Sequence, residues 1–341
     1  MRYLKVSGIV ALLAVAVSCG QGAPPVTVRP AARLVTVQQV AALPSSQRAY
    51  LGQHTYLISR HSPYTLSVGT LMGQDMRPLT TLACTVRPAI SFVFSGHLVL
   101  LCPLTGSLTG LLINASTGQE TRLWTWRGQM NGASELTAWA GNSLFWNVVP
   151  NVLTGTALTG GNNLETGAHI AFPAGLGGVL FADNRTGSVY VMTGQRPSPA
   201  TLWYWTDGQR IKLGTLRHGH VLAVGRGGLA LAVGSQSGAT SGNTVYLERA
   251  GSGVSRQWSV PGELLTAGMV YFVVWNPTTT FPAPGSITVD FPLAGRSFTI
   301  ATIAQPLVAN GDIYLRTDHG VERIQITGAD SPNALMLNDW P

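Results

Sequence analysis

Over much of this chain apolar and polar residues alternate with a period of two, in short runs separated by Gly, Pro, Asn, Ser and Thr. That pattern predicts strands with one buried face, joined by tight turns. One version of it recurs seven times, as His54-Thr-Tyr-Leu-Ile, His97-Leu-Val-Leu-Leu, Ser143-Leu-Phe-Trp-Asn, Ser188-Val-Tyr-Val-Met, Gly228-Leu-Ala-Leu-Ala, Met269-Val-Tyr-Phe-Val and Asp312-Ile-Tyr-Leu-Arg. The first residues of successive copies are 43, 46, 45, 40, 41 and 43 positions apart. No apolar stripe of period 3.6 is long enough to predict a substantial helix.

A period of this size, made of strands alone, is the mark of a β-propeller blade. The expected fold class is therefore all-β, a seven-bladed propeller of four-stranded antiparallel blades. In the second repeat the strands are expected at Ala89 to Ser95, His97 to Cys102, Gly110 to Asn114 and Thr121 to Trp126. Third-to-fourth-strand turns are expected at Gly73, Ser116 to Gly118, Thr166-Gly167, Asp207-Gly208, Gly251 to Gly253 and Ala294-Gly295, where glycine supplies the positive φ of a hairpin. The seventh repeat has only three strands before the tail at 331–341, and a strand-like run, Arg33 to Val37, is left over before the first. A ring must close or expose an edge, so the N-terminal run is expected to supply the missing outer strand. Residues 32–330 then form one domain, because each blade packs only on its neighbours.

Residues 1–18 carry Arg2, Lys5 and an apolar run from Ile9 to Val17, which reads as a secretory signal too short to span a membrane comfortably. The following Ala16-Val17-Ser18-Cys19-Gly20 resembles the bacterial lipobox, with Ala16 where that motif usually has Leu. The resemblance implies acylation of Cys19, a linker over 19–31 and anchorage to a membrane from outside the cytoplasm; an ordinary signal peptide with an incidental cysteine is the alternative.

Composition fits this picture: 40 Gly, 20 Pro and only 10% charged residues suit many short strands and turns. The net charge of +7 is spread singly along the repeats. A nucleic-acid binder would gather it on one face, so no nucleic-acid partner is expected.

In this topology the second-to-third-strand loops and the interblade connections share a face. The former are expected to be long, at Ser59 to Tyr64, Pro103 to Thr109, Asn147 to Gly155, Thr193 to Ala200, Gly234 to Asn243 and Trp275 to Gly285. Binding on a rigid ring usually resides in such loops. The candidate binding residues are Arg60, His61, Tyr64, Arg196, Trp275, Phe281 and His319. Cys84 and Cys102 fall on this face in adjacent blades and read as a disulfide in an exported chain, with two buried free thiols as the alternative. His54, His97 and His220 begin strands and read as structural; His61 and His319 would be neighbours once the ring closes. Asp75, Glu120, Glu165 and Asp207 lie at turns of the opposite face, and Asp312 begins a second strand. No sialidase-type Asp box, Gly-x-Ser-x-Gly, phosphate-binding glycine loop or zinc-protease motif occurs. Neither a metal nor a cofactor is expected.

The stretch Ile113-Asn114-Ala115-Ser116-Thr117-Gly118, followed by Trp124, resembles the repeat of quinoprotein-type propellers, with Asn114 in place of Asp; Leu164 to Gly167 is a fainter copy. The resemblance implies the propeller fold, and repeats of this type also build non-catalytic lipoproteins, including the propeller subunit of outer-membrane protein assembly. The functional expectation is a monomeric, non-catalytic binding or scaffold lipoprotein whose partner is a protein or an envelope polysaccharide. The alternative is an extracytoplasmic enzyme acting on glycans or a cofactor-dependent dehydrogenase, against which stands the shortage of acid–base residues on the loop face.

Overall fold

The computed structural model describes residues 35–128, 134–151, 156–170, 179–183, 188–193, 199–206, 209–218, 220–235, 243–268, 271–278, 284–292 and 295–326. Their strands form seven antiparallel four-stranded sheets, each a blade with strands a to d. Blade 1 comprises Arg48–Leu51, His54–Ile58, Tyr64–Thr70 and Arg77–Leu82, and blade 2 Ala89–Phe94, His97–Leu104, Ser107–Asn114 and Glu120–Arg127. Blades 3 to 6 follow over 134–170, 179–216, 220–260 and 263–302. Strands a of successive blades touch one another from blade 1 to blade 6, which makes them the inner wall of the ring.

Blade 7 is completed across the termini. Its strands a, b and c are Leu307–Ala309, Asp312–Thr317 and Gly320–Ile326, and its outer strand is Val35–Val40, paired antiparallel from Val35↔Ile326 to Val40↔Val321. Closure by the N-terminal run is as expected, with the described strand starting at Val35. The seam between blades 7 and 1 is packed by Val40, Tyr50 and Tyr314, all buried, with the two tyrosine rings 5.6 Å apart. The fold is a closed seven-bladed β-propeller.

The cores lie between blades, where the strand faces of neighbours meet. Tyr56, Leu66, Leu98 and Ile113 fill the junction of blades 1 and 2, and Val245, Leu247, Phe272 and Val274 that of blades 5 and 6. Several tryptophans are held by glycines on the adjacent strand: a Cβ at Gly160 would come within 2.4 Å of the Trp146 ring, which is why strand c of blade 3 carries glycine there. Asn114 explains the altered repeat motif. Its Oδ1 accepts from the Ser116 and Thr117 amides, each at 3.0 Å, and Asn163 does the same for Glu165 and Thr166 in blade 3. An amide oxygen therefore fills the turn-forming role of the usual carboxylate.

Candidate functional site

Chain direction places b–c loops and interblade connections on one face, and a–b and c–d turns on the other. On the first face the best-defined element is the blade 1 loop from Ser59 to Pro63. The Ser59 amide donates to Thr65 O, its Oγ accepts from the Thr65 amide at 2.9 Å and donates to His61 O at 3.1 Å, and Arg87 Nη2 donates to Ile58 O at 2.9 Å. A loop tied at its base in this way presents Arg60 and His61 outward, both exposed; Tyr64 already belongs to strand c and is half-buried.

Two sequence expectations for this face change. Trp275 is not at the surface: it lies within strand b of blade 6, Tyr271–Pro277, opposite Ile287, and is 4% exposed. The strand continues to Pro277 because Gly285 faces Pro277 across the pair and leaves room for the indole beside it. The blade 2 loop is not long either. Strand b runs through Pro103 to Leu104 and turns at Thr105-Gly106, since strand b outlasts strand a, whose last partner is Leu101, and the missing proline N–H has no ladder bond to lose. His319 sits in a two-residue turn with Asp318, where its carbonyl accepts from Gln39 Nε2 at 3.4 Å. Arg196, Phe281 and Cys19 lie outside the described residues.

The same face carries a disulfide between Cys84, in the connection from blade 1 to blade 2, and Cys102, in strand b of blade 2, with Cα atoms 5.3 Å apart. Thr85 N and Oγ1 both donate to Pro103 O alongside it. Closing a loop over a separation of 18 residues stabilises by about 3 kcal/mol in the chain-entropy treatment. Replacing both cysteines by serine should therefore lower the urea midpoint, with a slope equal or steeper because the unfolded chain without the crosslink is less compact, and reductant should do the same to the unaltered protein but not to the variant. A midpoint unchanged in the double variant contradicts a stabilising bond.

A second polar construction pins the connection from blade 4 to blade 5. Glu248, fully buried in strand c of blade 5, accepts from the Arg217 amide at 2.6 Å, the His218 amide at 3.3 Å and His218 Nδ1 at 3.0 Å, while the His218 ring stacks on Tyr246 at 3.9 Å. Two of these bonds hold the backbone of the connection and the third, with the stacking, holds the His218 ring against blade 5.

The seam holds the third. Arg323, on strand c of blade 7, is 1% exposed. Its Nη2 donates to Gln38 Oε1 at 2.6 Å on the closing strand and to Gly52 O at 2.8 Å on the a–b turn of blade 1, and its Nη1 lies 3.7 Å from Asp312 Oδ2. One side chain thus ties three segments remote in sequence. Burial raises the Asp312 carboxyl to about 6, against the opposing pull of Arg323 and a hydrogen bond from Gln325; burial likewise raises Tyr271 and Tyr314, with the Asp312 charge adding to it.

The Asp312 carboxyl binds its proton more tightly in the folded ring than in the unfolded chain, where it ionises near 3.8. Its contribution to stability is full below pH 3.8 and is lost as pH rises through 6, to the extent of up to about 3 kcal/mol. Urea titrations between pH 3.5 and 7 should show the wild type losing this much relative to Asp312→Asn; parallel curves for the two proteins would remove Asp312 from the pH dependence. Among the described residues, no group of three or more His, Cys, Asp or Glu side chains is placed to hold a metal ion.

Sequence reasoning passed over Arg323 and gave Asp312 no role. The available signal was Glu322-Arg323 interrupting an aliphatic strand in a chain with few charges.

Fold and seam together define a closed propeller whose blade 7 is shared by both ends of the chain. No protein-family model matches the chain, and neither does any curated protein. Solved structures do. The β-propeller domain of the trilobed protease from Pyrococcus furiosus, described as having an open velcro topology, is similar with a TM-score of 0.50 at 14% identity, over 86% of this chain and 98% of that one. The uncharacterised protein lmo1340 from Listeria monocytogenes is similar with a TM-score of 0.49 at 9% identity, over 81% and 88% of the two chains. TolB from Acinetobacter baumannii gives a TM-score of 0.38 at 14% identity over 74% of this chain and 64% of that one, so the chain spans less than two thirds of it. At these identities the likeness concerns the fold alone.

Proposed function

We propose that this propeller is an exported, lipid-anchored binding or scaffold protein that presents its b–c loop face to a protein or polysaccharide of the cell envelope. The observation that carries the binding role is the Ser59–Pro63 loop, whose internal hydrogen bonds hold the backbone beneath exposed Arg60 and His61. A preorganised loop backbone lowers the ordering cost of contact, and arginine ranks among the residues that dominate interfaces. The Cys84–Cys102 bond on the same face supports residence outside the reducing cytoplasm. Cys19, following the signal-like run, supports the anchor.

The test has two arms. Mass spectrometry of the membrane fraction should find a diacylglyceryl-modified Cys19 as the first residue of the mature chain; a mature chain beginning elsewhere and free in the medium refutes the anchor. Photocrosslinkers placed at Arg60 and His61 in intact cells should give discrete adducts that crosslinkers at Gln119 and Glu120, on the opposite face, do not. Adducts from Gln119 and Glu120 alone would move the working surface to the other side of the ring.

A further inference from the structure

On the face of the a–b turns, opposite the Ser59–Pro63 loop, a cavity of about 190 Å3 is lined by residues of blades 7, 1, 2 and 3. One side of it is aromatic: Phe92, Phe94 and Trp139 form a continuous run, with ring centroids 5.4 and 5.5 Å apart. The other side is polar and carries Asp312 and Gln325 beside Arg323.

The two members of the seam ion pair are not equally open to this space. The Arg323 side chain is 1% exposed and the Asp312 side chain 22%. The guanidinium is engaged within the seam by Gln38, the Gly52 carbonyl and Tyr314. The carboxylate accepts a hydrogen bond from Gln325 and lies 3.7 Å from Arg323 Nη1, too far for a second one. A carboxylate offers about four lone-pair directions, so acceptor capacity remains on the charged group that a molecule in the cavity can reach.

Charge and shape together select the ligand. An anion would be repelled by the carboxylate. A divalent metal ion needs several oxygen ligands, and this lining sets one carboxylate against three aromatic rings. A neutral hydrocarbon matches the rings but brings the carboxylate no donor. A primary ammonium on a short alkyl chain matches both sides: its three N–H donors suit the carboxylate, and its hydrocarbon packs on the rings, whose negative faces also favour positive charge. The volume lies below the roughly 300 to 1,000 Å3 of sites for drug-sized ligands, which restricts the site to a small amine.

The geometry points to this cavity as a binding site for a small primary alkylammonium ion, its charged head at Asp312 and its hydrocarbon against Phe92 and Trp139. The inference stands apart from the loop face and from the lipid anchor, since the residues involved lie on the other side of the ring. A free amine and a lysine side chain offer the same head and chain.

Binding should follow the ionisation of Asp312, because a cation favours the charged form of the carboxyl that burial raises to about 6. The charged and titratable groups set against Asp312 are Arg323 on strand c of blade 7, Tyr314 on strand b of the same blade and Tyr271 on strand b of blade 6; Tyr50, on strand a of blade 1, faces Tyr314. Burial raises all three tyrosines above their ordinary value, so they stay neutral over this range, and an arginine keeps its charge throughout.

Calorimetric and tryptophan-fluorescence titrations of the full chain should use n-butylammonium and n-hexylammonium, with n-butanol and butyrate as neutral and anionic counterparts. At least one of the amines should bind saturably below roughly 10 mM at pH 8, and butanol and butyrate about tenfold more weakly or worse. At pH 5 the amine affinity should fall about tenfold, since a group ionising near 6 is then only about one-tenth charged. Nα-acetyl-lysinamide separates the sources: tighter binding than butylammonium identifies a lysine-bearing polypeptide, and equal or weaker binding identifies a free amine. Asp312→Asn should weaken binding by about tenfold or more and level its pH dependence, and Trp139→Ala should weaken hexylammonium to a similar degree. The wild-type pH profile keeps the test in force if a variant fails to fold. The site is overturned if neither amine binds the wild type, if butanol or butyrate binds as tightly, if the affinity is level between pH 5 and 8, or if the folded variants keep full affinity.

Discussion

Deletion of residues 35–40 should lower the melting temperature by roughly 10 °C or more, corresponding to a loss of several kcal/mol. The six residues form the whole outer strand of blade 7, so their removal leaves Gly320–Ile326 as a bare edge. Val40 leaves the seam cluster with Tyr50 and Tyr314, and the Arg323 guanidinium loses its Gln38 acceptor. A synthetic peptide carrying residues 33–42, added in trans, should recover part of the loss by pairing with the vacated edge, which separates strand complementation from general damage. The measurement is circular-dichroism melting of the two chains with and without peptide. An unchanged melting temperature in the deletion would mean that the ring does not depend on this strand.

Replacing Arg323 by Met should cost about 3 to 5 kcal/mol, the range for removing one partner of a buried charge pair. Methionine keeps much of the side-chain volume but leaves the Asp312 carboxylate uncompensated and the Gln38 Oε1 and Gly52 carbonyl acceptors without their donor. Asp312→Leu made in the same chain should recover more than 1 kcal/mol, because the double variant buries no charge where the single variant buries one. Urea unfolding of the four proteins of this cycle measures the coupling. Additive losses would show that the two groups act independently, and the pairing across 3.7 Å would then carry no energetic weight.

Much of the ring was legible in the sequence because its strongest signals are local and repeated. Period-two patterning and turn glycines gave the strands, and the positive φ at Gly73, Gly118, Gly167, Gly251 and Gly295 falls at the expected turns. The surplus strand at one end matched a deficit at the other. Cys84 and Cys102 could be paired on paper once each was assigned to a strand end of the same face.

The candidate sites were less legible, for identifiable reasons. Trp275 looked like the start of a loop because Asn276-Pro277 is turn-like in composition, whereas the ladder to strand c carries it inward. Phe92 and Phe94 read as ordinary strand residues. The bulge between Ile90 and Phe92, fixed by Ser91 Oγ donating to Val99 O, breaks the alternation that would have assigned their faces. Trp139 joins them from another blade, and Arg323 meets Gln38 and Gly52 only after the ring has closed. Sequence periodicity describes one blade at a time, while these groupings belong to junctions.

Closure by the first strand also sets an order of assembly. Residues 35–40 are synthesised before every other described strand, yet their partner, Gly320–Ile326, is the last described strand to appear. Blades 1 to 6 are each made of consecutive segments and can form as their own hairpins are completed, whereas blade 7 must wait for a contact of nearly maximal sequence separation. Until then the chain carries two unpaired edges, one at each end, and the partly built ring is open to pairing with a second copy. The slowest folding step should accordingly be seam formation, and a chain delayed there should form strand-exchanged dimers in proportion to its concentration.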